Sequence, residues 1–295
     1  MYVFENPIIK AQQTDAEWGQ FMQPDPELEK AENLIETFGI KMPSGNQSNL
    51  DAYVPHSNLI FSQLVNKLNQ QKAHIAYEDQ CTAKYYFDNF NLVQNFHKEF
   101  NRIVDVGVYL GGSASLFAGC LQPFNLALDL VDVNKKFLQF TYERIRRTFP
   151  ESIGKVRMFF GDLPTYVRNV IQKENNKSLI HHDGSHNFNE VVKDLASLYY
   201  VKDKIHALSI QDTHLRSAKL NLYTFVDAAV YAVFGYQMQY IETGFKFPNG
   251  TNPAFAYSTY FLPNQTEGMY IPFAANTFRY PHPSMTLDDL FAATA

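Results

Sequence analysis

The sequence is poor in cysteine and in positive charge. Its 2 cysteines, Cys81 and Cys120, lie far apart in no metal-type spacing, which argues against a disulfide framework and a structural zinc site. Lys and Arg number 25 against 30 Asp and Glu, giving a net charge of −5. Because such a chain has no broad positive field for a phosphate backbone, we expect no nucleic-acid partner.

Long apolar runs are also missing. No uncharged stretch of 18 apolar residues occurs, so we expect no membrane-spanning helix and no membrane partner. The first 20 residues mix charged with apolar positions and show no signal-peptide pattern, so we predict a cytoplasmic protein. The apolar share of 45% and the charged share of 19% are typical of a folded chain.

The order of the apolar patterns predicts an α/β fold. From about residue 101, short apolar runs alternate with segments of helical period, which is typical of a doubly wound, mostly parallel sheet. The predicted strands are 102–106, 126–131, 156–160, 179–182 and 207–210. Two further strand-like runs, 238–241 and 255–262, flank a Gly, Pro and Asn-rich segment and predict a hairpin.

Three regions follow from these patterns. Residues 1–84 are predicted to form a helical N-terminal cap or oligomerisation arm, and a homodimer built on these helices is one arrangement they allow. Residues 85–263 are predicted to form the α/β domain. Residues 264–295 are predicted to be a C-terminal tail that packs on the domain.

A glycine-rich segment follows the first predicted strand. It contains Asp105, Gly107, Gly111, Gly112 and Ser113. Glycine lets a backbone approach a ligand closely, and serine can cap the next helix, although a plain glycine-rich turn is the alternative. Tyrosine follows the first glycine by two positions, so the G-x-G-x-x-G fingerprint is absent, which disfavours a nicotinamide enzyme.

Aspartates follow the next two strands. Asp132 stands 25 positions beyond Gly107, about where an acid accepts hydrogen bonds from a ribose diol, and Asp129 takes this place if the strand ends earlier. Asp162 follows the third strand, where it either faces an adenine edge or only caps a helix. Since ligands bind at the carboxyl ends of such strands, these residues are candidates for a binding site.

The segment after the fourth strand, His182-Asp183-Gly184-Ser185-His186 with Val191 to Leu195, completes a series of landmarks. Together they resemble class I S-adenosylmethionine (SAM) dependent methyltransferases over roughly residues 85–262. The branch most similar is methyltransferase family 24 with the cephalosporin-hydroxylase-like and macrolide-sugar O-methyltransferases. The resemblance implies a Rossmann-like fold and SAM as cofactor.

Roles for individual residues also come from the resemblance. It implies that Asp105 and Gly107 border the methionine part of SAM and that the segment from Gly111 to Ser113 passes close to it. Asp132 would hold the ribose and Asp162 would face the adenine. Asp183 is counted with them, because a carboxylate near the cationic sulfonium is favourable.

The resemblance implies a metal site as well. In metal-dependent relatives, carboxylates after the fourth and fifth strands hold Mg²⁺, and Asp183 and Asp212 occupy those places. Several relatives have an acid just before the second aspartate, where this chain has Gln211. An amide oxygen still ligates Mg²⁺ but carries no charge, so the requirement for Mg²⁺ is left open.

Histidines cluster at the same strand ends. They are His181, His182, His186 and His214. Because strand side chains alternate, the first two are predicted to face opposite sides of the sheet. His186 and His214 are the candidates for a general base, with Asp183 beside them, and a structural role is equally open for each.

The predicted function is therefore SAM-dependent methyl transfer to a hydroxyl of a small-molecule acceptor, such as a sugar, phenol or polyketide of secondary metabolism. The alternative is a non-catalytic scaffold or partner-binding module that has kept the fold. A non-haem iron oxidoreductase is disfavoured, since no triad of two histidines and a carboxylate stands at convincing spacing.

Overall fold

The computed structural model describes residues 12–39, 58–70, 81–217, 225–246, 259–261 and 264–292. The helices are α1 (Pro26–Glu29), α2 (Leu34–Phe38), α3 (Leu59–Gln70), α4 (Ala83–Phe96), α5 (Gly112–Phe124), α6 (Lys135–Thr148), α7 (Leu163–Tyr166), α8 (Phe188–Ser197), α9 (Val226–Phe234) and α10 (Leu287–Ala292). The strands are β1 (Gln20–Met22), β2 (Arg102–Val106), β3 (Ala127–Asp132), β4 (Val156–Phe160), β5 (Ser178–His182), β6 (Ile205–Ile210), β7 (Leu215–Ser217), β8 (Ile241–Lys246), β9 (Thr259–Phe261) and β10 (Thr266–Pro272). None of the described helices has the length and apolar character needed to cross a membrane.

Eight strands form one mixed sheet in the order β1-β4-β3-β2-β5-β6-β10-β8. The five central strands, from β4 to β6, pair in parallel, while β1, β10 and β8 pair antiparallel with their neighbours. The chain runs outward from β2 through β3 to β4 and then returns to β5 on the other side of β2. The strand order therefore reverses between β2 and β5, which is where open α/β sheets bind ligands.

The predicted doubly wound, mostly parallel fold is confirmed. The five predicted strands correspond to β2, β3, β4, β5 and β6, with ends that differ by at most two residues. These strands are short, apolar and buried on both faces, as parallel strands covered by helices must be. The sequence predicts these strands because each one alternates with a helix whose apolar residues recur at a clear helical period.

Helices cover both faces of the sheet and give it two apolar layers. Ile103 packs into a layer with α3, α4 and α5, and its neighbour Val104 packs into a layer with α8 and α9. The same alternation recurs in β5, where Leu179 and Ile180 enter opposite layers. Successive strand side chains point to opposite faces, so a strand covered on both sides needs apolar residues throughout.

The predicted hairpin of runs 238–241 and 255–262 is wrong. Strand β8 pairs with β10, and β9, the described part of the second run, pairs with β7. Strand β10 takes the place between β6 and β8 because six of its seven residues are buried, from Thr266 to Ile271. It lies in the segment that the sequence predicts as a tail, so the chain beyond residue 264 contributes an interior strand as well as a surface segment.

The N-terminal region also adds a strand to the sheet. Strand β1 pairs with β4, and the amide of Gly19 donates to the carbonyl of Phe160 at 2.7 Å. Lys135 of α6 forms ion pairs with Asp15 and Glu17 of the segment that precedes β1. Strand β1 thus covers the β4 edge of the sheet and pairs backbone groups of β4 that an edge strand otherwise exposes.

Candidate functional site

The parallel strands bring the predicted site residues to one edge of the sheet. Asp132 ends β3, Asp162 follows β4 by two residues, and Asp183 follows β5 directly. Asp212 follows β6 by two residues, and the glycine-rich loop leaves β2. Since all five strands run the same way, their carboxyl ends meet at the edge where the strand order reverses.

The loop after β2 is built on left-handed backbone conformations. Gly107 has φ of +82° and Gly111 has φ of +79°. A Cβ on Gly107 would lie 2.3 Å from the carbonyl oxygen of Asp183, and one on Gly111 would lie 2.8 Å from a methyl group of Thr141. Close packing against protein atoms is therefore sufficient to explain why both positions are occupied by glycine. Gly111 is also the N-cap of α5, whose first residue, Gly112, is buried.

Asp132 is tied to this loop. Its Oδ2 atom accepts from the amide of Tyr109 at 3.4 Å, and its Oδ1 atom accepts from the amide of Asn134 at 2.8 Å. Burial raises the pKa of Asp132 to about 6, although the hydrogen bonds from these amides favour the ionised form and oppose the rise. The carboxylate is still ionised in most molecules at pH 7, and its oxygens keep lone pairs for further donors such as hydroxyl groups.

Asp105 lies deeper, inside a buried chain of hydrogen bonds. Its carboxylate accepts from Ser113 Oγ at 2.9 Å and contacts His181 Nδ1 at 2.6 Å. The Nε2 atom of His181 contacts the hydroxyl of Tyr85 at 2.8 Å. Asp105, His181 and Tyr85 are fully buried. This chain of hydrogen bonds links α4, β5, β2 and the first turn of α5. Asp105 therefore holds the end of the glycine-rich loop in place from inside the protein.

Asp162 acts as the N-cap of α7. Its Oδ1 atom accepts from the amide of Thr165 at 2.9 Å. Burial raises the pKa of Asp162, and the charge of Lys193 opposes that rise. A specific hydrogen bond therefore supports the interpretation of Asp162 as a helix cap. Its contact with an adenine edge stays a prediction.

Asp183, His186 and Asp212 converge at the ends of β5 and β6. The Nε2 atom of His186 lies 3.2 Å from Asp212 Oδ2 and 3.5 Å from Asp183 Oδ1. One ligand atom from each of the three residues lies within 4.8 Å of the others. These are the only His, Cys, Asp or Glu side chains in the described part of the chain that converge in this way. The trio can hold a cation.

The electrostatics of this trio depend on its two carboxylates. Burial raises the pKa of both Asp183 and Asp212, and the negative charge of Asp212 adds to the rise at Asp183. Burial alone would lower the pKa of His186, but the neighbouring carboxylates raise it to about 9. His186 is thus protonated at pH 7 when no other cation is present, and an imidazolium cannot accept a proton.

The other predicted residues of this region have separate surroundings. Burial lowers the pKa of His214 to about 3, which makes it a weak base at neutral pH. The Nε2 atom of Gln211 lies 2.6 Å from the sulfur of Cys81. His182 contacts Asp194 of α8 at 2.9 Å, whereas His181 contacts groups on the other face, so the prediction that the two histidines face opposite sides is confirmed.

Glu267 of β10 is a buried carboxylate that sequence reasoning missed. It accepts from the amides of Thr82 and Phe245 at 2.9 and 3.1 Å and from the hydroxyl of Thr82. Burial raises the pKa of Glu267 to about 7, and the charge of Asp212 adds to the rise. The signal was hidden because glutamate followed by Gly268 does not look like the interior of a strand.

No protein-family model and no curated protein matches the chain. Similar solved structures include the calicheamicin methyltransferase CalS11, with a TM-score of 0.42 and 10% identity over 78% of this chain and 98% of that one. An O-methyltransferase from Bacillus cereus in complex with SAH has a TM-score of 0.38 and 16% identity over 55% of this chain and 70% of that one. The SAH-bound methyltransferase PaMTH1 from Podospora anserina has a TM-score of 0.37 and 12% identity over 65% and 73%. Similarity at this level assigns neither a family nor an activity to the chain.

Proposed function

We propose that this protein is a SAM-dependent methyltransferase that methylates a hydroxyl group of a small molecule. The observation that carries the proposal is the convergence of Asp183, His186 and Asp212 at the edge where the strand order reverses. The loop of Gly107 lies directly against this trio, since its backbone approaches the carbonyl of Asp183. A nucleoside-type cofactor held by that loop would therefore present its reactive end to the trio.

The cofactor would lie along the ends of β2, β3 and β4. Asp132 fits a ribose diol, because its carboxylate stands beside the loop and its hydrogen bonds with described residues come from backbone amides. Asp162 stands next along the edge, where its backbone and carboxylate would border the base. Asp105 acts through Ser113, which it holds at the start of α5. SAM supplies a methyl group on a cationic sulfur, which carboxylates at this edge would favour.

The reacting end would be formed by the trio. Asp183 and Asp212 are the residues that would hold a divalent cation, and they supply the oxygen ligands that such ions take. A bound cation lowers the pKa of a coordinated hydroxyl, which suits an acceptor that is protonated in water. Positioning of the acceptor oxygen by these side chains would supply much of the rate.

Calorimetric titration with SAM and S-adenosylhomocysteine tests the cofactor. We expect both to bind, and we expect Asp132→Ala to weaken binding by about 10 to 100-fold, since hydrogen bonds to a charged group contribute about 1.5–3 kcal/mol. Asp203→Ala, which removes an exposed carboxylate of the 3₁₀ turn Leu198–Lys204, is the matched control and should bind both compounds normally.

Turnover is tested separately. With labelled SAM and a panel of hydroxylated acceptors, Asp212→Asn should retain cofactor binding and lose methyl transfer. Unchanged affinity in Asp132→Ala would contradict the ribose assignment. Failure of the unsubstituted protein to bind either compound would contradict the proposed function and favour a non-catalytic module with this fold.

A further inference from the structure

We infer that Asp183, His186 and Asp212 form a three-ligand site for a divalent transition-metal ion, with His186 Nε2 as the third ligand. This inference rests on the proposed function for the catalytic role of the ion, because the metal would activate the acceptor hydroxyl. It departs from the sequence prediction in two respects. The third protein ligand is His186 rather than Gln211, and the preferred ion is a transition metal such as Mn²⁺ or Co²⁺ rather than Mg²⁺.

The two distances from His186 to the carboxylates match the spacing of ligands around one ion. An ion with metal-ligand bonds of about 2.1 Å places neighbouring ligand atoms about 3.0 Å apart in octahedral geometry and about 3.4 Å apart in tetrahedral geometry. His186 Nε2 lies 3.2 Å from one carboxylate oxygen and 3.5 Å from the other. Its buried Nε2 atom has no hydrogen-bond partner of acceptable geometry among the described residues. The ring nitrogen is thus close to both oxygens without being directed at either.

Each of the three ligands is held by a fixed backbone segment. The amide of Asp183 donates to the carbonyl of Val106 at 2.9 Å, which continues the β2-β5 pairing by one residue. The carbonyl of His186 accepts from the amide of Phe225 at 3.0 Å, just before α9. Asp212 has φ of +59°, and its carbonyl accepts from the amide of Leu215 in a tight turn. A preorganised set of this kind fixes both ligand number and geometry.

Gln211 has a buried amide oxygen with no hydrogen-bond partner among the described residues. It lies one residue before Asp212, and its amide nitrogen contacts the sulfur of the buried Cys81. In the inferred set His186 is the third ligand, because its Nε2 atom lies within 3.5 Å of an oxygen of each carboxylate. A nitrogen ligand changes the expected metal, because imidazole suits first-row transition-metal ions such as Fe²⁺, Ni²⁺ and Zn²⁺, whereas Mg²⁺ prefers oxygen ligands and keeps several waters.

Binding of the metal alone tests this inference without cofactor or acceptor. The full chain, stripped with EDTA, would be titrated with Mn²⁺, Co²⁺ and Mg²⁺ by calorimetry. The Mn²⁺ form would then be examined by pulsed electron paramagnetic resonance for coupling to a ¹⁴N nucleus. We expect Mn²⁺ and Co²⁺ to bind at least tenfold more tightly than Mg²⁺, and we expect the ¹⁴N coupling of a directly bound imidazole.

Variants identify the histidine. His186→Gln should abolish the ¹⁴N coupling and weaken Co²⁺ binding at least tenfold. Asp212→Asn should weaken the binding of all three ions. His282→Gln removes an exposed histidine of the C-terminal segment and should leave both the coupling and the affinities unchanged. Thermal unfolding in EDTA checks that the variants fold. If His186→Gln does not fold, the ¹⁴N signal of the unsubstituted protein still decides the question.

Three results would overturn the inference. They are Mn²⁺ binding without ¹⁴N coupling, equal affinity for Mg²⁺ and Co²⁺, and no binding of any ion, which would leave the trio as an ion pair. Metal binding and SAM binding are measured apart, so their failures are distinguishable. A metal site in a protein that binds no SAM would stand while the proposed methyl transfer falls.

Discussion

Replacing Gly107 with alanine should destabilise the protein at the point where the loop after β2 meets the site. The backbone of Gly107 is left-handed, with φ of +82°, and a Cβ would lie 2.3 Å from the backbone oxygen of Asp183. A left-handed L-residue costs about 1–2 kcal/mol, and forcing an extra group into a packed interior costs about 1–3 kcal/mol. We therefore expect Gly107→Ala to lower the free energy of unfolding by about 2 to 5 kcal/mol.

Two other glycines separate these contributions. Gly39 has φ of +57° with open space around its Cβ position, so Gly39→Ala should cost only the backbone strain of about 1–2 kcal/mol. Gly154 has open space and no positive φ, so Gly154→Ala should be neutral or stabilise by up to about 1 kcal/mol. Urea unfolding followed by circular dichroism would compare the three variants.

The clash also predicts a local effect. Since the obstructing atom belongs to Asp183, Gly107→Ala should weaken Mn²⁺ binding under conditions where the variant is still folded. A cost for Gly107→Ala equal to that of Gly39→Ala would refute the reasoning, because it would mean that the loop and the end of β5 move apart freely. Equal Mn²⁺ affinity would refute the coupling of the loop to the site.

Three further predictions concern buried polar groups. Tyr85→Phe leaves a buried imidazole nitrogen unpaired and should cost about 1–3 kcal/mol in urea unfolding, whereas Tyr86→Phe removes a buried hydroxyl with no described partner and should cost nothing; equal costs would contradict the role of the hydrogen-bond chain. Glu267 has a pKa raised from 4.5 to about 7, so it contributes about 3 kcal/mol of stability at low pH that is lost as pH rises through 7. Glu267→Gln should flatten this fall in unfolding free energy between pH 4.5 and 7, and an unchanged slope would contradict the assignment. Asp212→Asn removes a carboxylate that raises the pKa of His186, so NMR titration of the metal-free protein should show that pKa falling from about 9; an unchanged value would mean that the pair is not formed in solution.

The candidate site illustrates how far the sequence alone could predict the structure. Asp132, Asp162 and Asp183 each follow a short apolar run, and parallel strands necessarily present such residues at one edge. Alternation along β5 likewise required His181 and His182 to face opposite sides. These predictions depend on the spacing of apolar residues and on the direction of each strand. Both are specified by residues close together in the sequence.

Other features depended on contacts between distant segments. The carboxylate of Asp105 contacts His181, which in turn contacts Tyr85. No local pattern predicts these contacts, because the two residues lie 76 and 20 positions from Asp105 in the sequence. Strand β10 was missed because Glu267 and Gly268 suggest a loop until β6 and β8 are seen on either side. The hydrogen bonds and packing that make such a strand stable come from its neighbours.

The sequence by itself determined the doubly wound sheet, the order of its central strands along the chain and the edge where acidic residues gather. Only the tertiary structure decided that His186 stands between Asp183 and Asp212. Apolar periodicity fixes secondary structure within a few residues of chain, because burial acts on each face of each element. The direction of a polar side chain is set by the partners that folding brings to it, and those partners lie far away in sequence.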